Sequence, residues 1–111
     1  MGSHLMVTDI TVEKSLEYLA STDKQLGEVH GRVEGINHHI KTAKAVAFLE
    51  ASGTVGERQA HADCNPDVVA LINEYENVVG ERETIRTTRK RAELTIEVWR
   101  TQQASSRRGH L

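Results

Sequence analysis

Two rows of apolar side chains, each repeating every seventh residue, constrain this chain more than any other feature. One holds Val12, Leu19, Leu26, Val33, Ile40 and Ala47; the other holds Leu71, Val78, Ile85, Ala92 and Trp99. A strict seven-residue repeat keeps one seam of an α-helix turned toward a partner over many turns. The expected fold is therefore all-α. It is an antiparallel hairpin of two long, coiled-coil-like helices with a short helix at the bend, and it is oligomeric. At ~1.5 Å per residue, helices of roughly 40 residues would each run about 60 Å and form a thin rod.

Composition agrees with long, solvent-facing helices rather than a thick core. Apolar residues are 38% of the chain and aromatic residues 4%, against 27% charged, a lean mixture for a globule. The 111 residues leave room for one domain. Pro66 is the sole proline, so little else interrupts a helix. Cys64 is the sole cysteine, which rules out an intramolecular disulfide and fits a reducing compartment. No stretch reaches the ~20 apolar residues of a membrane span, and no secretory signal is visible. Residues 1–6 read as an expression leader, with the natural chain starting at Met6, and the expected location is the cytoplasm of a bacterial host cell.

Punctuation sets the expected boundaries: a single domain over 7–104 with helices at about 11–52, 54–62 and 66–104, and a flexible basic tail at 105–111. Asp9 or Thr11 is positioned to cap the first helix, and Ser52-Gly53 to end it. Thr54 and Glu57 have the spacing of a capping box. Asn65 precedes Pro66 and Asp67, an arrangement in which asparagine caps, proline takes the first helical position and the acid meets the positive helix end. Beside each main seam lies a second row. On the first helix it is weak early (Ser15, Thr22) and strong later (Val29, Ile36, Ala43), with Leu16 and Tyr18 widening the early face. On the last helix it is Val68, Tyr75, Arg82, Arg89 and Ile96. The row Leu16, Asp23, His30, Asn37 and Lys44 is also polar in its middle, so the hairpin is expected to have a polar waist, with Arg82 and Arg89 opposite the Asp23 to Glu34 region. Gly27, Gly31 and Gly35 form one stripe, which implies either close approach of another backbone or ligand, or a locally pliable segment.

Charge gives the strongest functional signal. A net charge of −2 conceals a segment in which Arg82, Arg86, Arg89, Lys90 and Arg91 accompany the single acid Glu83. Arg82, Arg86 and Arg89 share a helical face, with Thr84, Thr87 and Thr88 nearby, and Arg107 and Arg108 add a basic arm. Arrays of this type bind phosphate backbones. The competing reading is that these arginines pair with acids of the first helix or of neighbouring chains. The few aromatics argue against dedicated base stacking. His30, Glu34 and His38 are spaced along one face, and His61, Asp63 and Cys64 cluster near the bend, but neither group has a zinc or di-iron spacing. No metal or other cofactor is expected. Nucleophile motifs and phosphate loops are absent, and a thin rod offers few water-excluding pockets, so no enzymatic activity is expected.

From Ile40 to His110 the chain resembles small helical proteins of tailed phages whose genes lie near recombination and replication genes. The stretches that carry the likeness are Lys44 to Arg58 (KAVAFLEASGTVGER), Arg91 to Arg100 (RAELTIEVWR) and Arg107-Arg108-Gly109. The layout of long helix, bend helix and long helix with a late tryptophan is similar to recombination mediators of the UvsY type. That resemblance implies rings that bind single-stranded DNA and load a recombinase onto strands covered by single-strand-binding protein. The alternative is a helical adaptor, scaffold or inhibitor of a host protein that binds no nucleic acid.

Overall fold

The computed structural model of the chain describes residues 6–109, and Met1 to Leu5, His110 and Leu111 lie outside them. Three helices make up the described residues, with no strand: α1 (Asp9–Glu50), α2 (Val55–Cys64) and α3 (Pro66–Gly109).

Each boundary has a local cause. Thr8, rather than Asp9 or Thr11, caps α1: its Oγ1 accepts the Thr11 amide at 3.2 Å and its carbonyl the Val12 amide at 3.1 Å. The helix thus starts two residues earlier than its expected start at 11. After Glu50 the Ala51 amide still reaches the Ala47 carbonyl (3.1 Å), and the chain then reverses at Gly53 with φ +109°. That left-handed conformation suits glycine, which has no Cβ to crowd the carbonyl. Thr54 is extended and its hydroxyl accepts the Glu57 amide at 3.2 Å, which starts α2. Asn65 serves two helices at once. Its amide donates to the Ala62 carbonyl at the end of α2 (3.2 Å), while its side-chain oxygen accepts the Asp67 amide (2.9 Å) and the Val68 amide (3.3 Å) at the start of α3. This closure carries α2 to Cys64, two residues past its expected end.

The expected end of the last helix at 104 needs correction. α3 runs on to Gly109, because Ala104 to Arg108 contain no breaker and Arg107 and Arg108 sit in the last turn, where cations meet the negative end of the helix dipole. Residues 105–109 of the expected tail are therefore helix, and its last two, 110–111, lie outside the described residues.

The described residues divide into two compact bodies: one reaches up to Leu26 and resumes at Glu83, and the other is Gly27–Arg82. In the first body, Val12, Thr22, Ile85 and Ala92 are buried, and Leu19, Leu26 and Trp99 are half-buried. Contacts pair α1 and α3 in opposite directions. The Trp99 indole donates to Asp9 Oδ1 (2.9 Å), and Arg89 reaches Asp23 (2.7 Å). The Val7 amide donates to Gln102 Oε1 (3.1 Å), which ties the entry of α1 to the late part of α3. In the second body, Val29, Val33, Ile36, Ala47, Ala62, Val68 and Val78 are buried, while Ile40 and Leu71 are half-buried. Fully burying a valine side chain stabilises by roughly 1.5 kcal/mol or more, so these rows hold the helices together. Lys44 pairs with Asp63 (3.5 Å), Arg32 with Glu81 (3.3 Å), and the Arg58 guanidinium lies 5.8 Å from the Phe48 ring. Leu16 is more than half exposed, so it does not widen the core as expected.

Candidate nucleic-acid interface

The seven basic residues expected to touch phosphate separate into a half-buried pair, Arg82 and Arg89, an exposed group of three in mid-α3, and an exposed pair at its end. Arg89 faces inward. Its side chain is 17% exposed, and its guanidinium donates to the Leu19 carbonyl (2.8 Å), Thr22 Oγ1 (2.7 Å) and Asp23 Oδ1 (2.7 Å). Thr22 in turn donates to the Tyr18 carbonyl (2.7 Å). Buried polar groups need such partners, and charged donors make the strongest of these bonds. Arg89, expected at the phosphate face, is therefore engaged within the chain instead of standing with the outward cations. Arg82 is also half-buried and already engaged within the chain. In the body that holds Arg89, the buried polar partner on α1 is Thr22, from the second core row. His30 stays exposed.

The outward group is Arg86, Lys90 and Arg91 on α3. All three are exposed. Arg86 pairs with Glu83 at 3.1 Å, one turn away, an exposed pair of the kind that contributes little and exchanges readily. Lys90 and Arg91 make no ion pair with any of the described residues. With Thr87 and Leu94 these three line an open, shallow depression along one side of α3. Of the nearby hydroxyls, Thr88 is spent on the Thr84 carbonyl (2.9 Å), Thr84 has a partner, and Thr87 remains at the rim. Arg107 and Arg108 are exposed on the last turn of α3, also without an ion pair among the described residues.

The residues missed in the sequence are Leu94 and Val98, which are 54% and 44% exposed beside the basic group. They lie half a helical turn away from the Ile85–Ala92–Trp99 seam. That displacement is the signal that marks an apolar residue as outward-facing.

His30, Glu34 and His38 do not converge, and no group of three metal-capable side chains among the described residues could hold an ion. Cys64 is exposed. No helix of the described residues is long and apolar enough to cross a membrane. The arrangement can therefore offer paired cations, a hydroxyl and an apolar strip along a rigid helix, which suits contact with an extended polyanion or a charged helix. No family model, curated protein or solved structure matches the chain.

Proposed function

We propose that this chain is the subunit of an oligomeric helical hairpin that binds single-stranded DNA, an accessory factor of phage-type recombination or replication. Its place of action is the bacterial cytoplasm, and a recombinase or single-strand-binding protein is its natural partner. Its role is binding, not catalysis. The observation that carries this reading is the pair Lys90 and Arg91, adjacent, exposed and without an ion pair among the described residues, flanked by Arg86 and Thr87. Phosphate contacts of this kind add affinity by releasing counterions, and repetition across subunits multiplies it. A mobility-shift titration with single-stranded DNA at ~50 mM salt, where phosphate contacts are strong, tests it. Binding that collapses in a Lys90→Glu, Arg91→Glu variant is expected, and no binding by the wild-type chain at that salt removes the reading.

A second reading, a helical adaptor that binds protein rather than DNA, draws support from Leu94 and Val98. Exposed apolar residues ringed by charge suit a partner helix laid along α3. Leu94→Gln separates the two, an uncharged change because Leu94 adjoins Lys90 and Arg91. It abolishes capture of a protein partner, whereas phosphate-driven DNA binding survives it.

A further inference from the structure

Within the Gly27–Arg82 body, α1 carries a second row on the side away from its core. Gly27, Gly31, Glu34 and His38, followed by Thr42, Ala45 and Leu49, are all exposed. Their spacing of 4, 3, 4, 4, 3 and 4 residues makes two eleven-residue repeats, a period that keeps the row on one face of a nearly straight helix, and it reads the same in both directions about His38. Reversing the helix end for end therefore lays the row onto itself, with Leu49 against Gly27, Ala45 against Gly31 and His38 against its own copy.

Shape and charge both agree with that superposition. Leu49 is 77% exposed and Val46 stands exposed beside it, while a Cβ added at Gly27 or Gly31 meets nothing within 4 Å. The large side chains at one end thus face open positions at the other. Glu34 and Lys41 lie one heptad apart on the same edge of the row. Both are exposed, and neither makes an ion pair among the described residues. In an antiparallel pair the same edges face each other, so Glu34 of each copy meets Lys41 of the other, twice by symmetry. The row spans about 33 Å of helix at ~1.5 Å per residue, two full eleven-residue repeats.

We propose that α1 of a second copy occupies this row, antiparallel and two-fold symmetric, with the two Glu34–Lys41 pairs fixing its direction. The inference deepens the oligomeric half of the proposed function and rests on it. Lys90 and Arg91 belong to the other body and take no part.

Sedimentation equilibrium of the full chain, with circular dichroism to confirm retained helix, tests it. The wild-type mass is expected at no less than twice the 12.4 kDa of one chain. Glu34→Lys and Lys41→Glu should each weaken association roughly tenfold, as two attractive exposed pairs become repulsive. The double variant carrying both changes should recover it, and so should an equimolar mixture of the two singles. A His38→Cys, Cys64→Ser chain should oxidise to a disulfide-linked dimer. A single 12.4 kDa species at micromolar concentration overturns the inference. So does an oligomer indifferent to both reversals, which would place the contact on another face. A monomer that still binds DNA strikes this inference and the oligomeric half of the proposed function but leaves the DNA-binding role, and an intact dimer that binds no DNA strikes only the DNA-binding role.

Discussion

Arg89 occupies a seam position that an apolar side chain would ordinarily take, and its three acceptors explain how the charge is tolerated there. Two of them, Thr22 Oγ1 and the Asp23 carboxylate, are side chains, but the third is the backbone carbonyl of Leu19. The inward position of Arg89 was legible from the spacing of Val68, Tyr75, Arg82, Arg89 and Ile96. Its acceptors were not, because a carbonyl leaves no mark in a sequence. Two substitutions divide the arginine's contribution. Arg89→Ala removes charge-assisted bonds and leaves a void, and should lower stability by about 2 kcal/mol. Arg89→Met fills the same space without a charge to desolvate, and should recover most of that loss. Urea denaturation reads both. A methionine variant no more stable than the alanine variant would show that the charge itself is net stabilising. Neither substitution should change DNA binding, because Arg89 is not part of the outward face.

At the scale of elements, helix existence and caps were readable because their signals are local. Asn65-Pro66-Asp67 needs only its own backbone to act as a helix start, and the structure uses it for two helices. The ends of α1 and α3 were less legible. Thr8 and Asp9 can both cap, and the choice fell to Thr8 while Asp9 accepts the Trp99 indole from ninety residues away. The glycines show the same division between local and distant causes. Gly53 has φ +109°, and a Cβ there would collide with the Glu57 carboxylate and lie 3.3 Å from the Glu57 Cβ. The carboxylate can swing aside, so the left-handed conformation dominates the cost, roughly 1–2 kcal/mol for Gly53→Ala. Gly35 is helical with nothing within 4 Å of an added Cβ. Gly35→Ala should therefore stabilise by about 0.5–1 kcal/mol through helix propensity alone. Thermal denaturation of the two variants should move the midpoint in opposite directions. A destabilised Gly35→Ala chain would mean that another backbone approaches the stripe more closely than this one does.

At the scale of the whole molecule the decisive quantity is net charge, and it opposes the proposed ligand. A chain of net charge −2 is not drawn to a polyanion from a distance, so binding must come from a local concentration of cations. Charge is screened beyond about 8–10 Å at ordinary salt, which lets a local group act independently of the acids elsewhere. The salt dependence then counts the contacts. For single strands, log K falls with log salt at a slope of about −0.7 per phosphate neutralised. Lys90 and Arg91, if each neutralises one phosphate, account for about 1.4 of the slope, and the Lys90→Ala, Arg91→Ala chain should be shallower by that amount. Arg107→Ala with Arg108→Ala should remove a similar increment, because both side chains are exposed on the last turn of α3. Arg89→Met should leave the slope unaltered, and so provides the control within the same helix. A slope that shifts with Arg89→Met but not with Lys90→Ala and Arg91→Ala would put the phosphate on the wrong side of α3. The outward face would then belong to a protein partner, gripped through Leu94 and Val98, with the cations around them selecting an acidic helix.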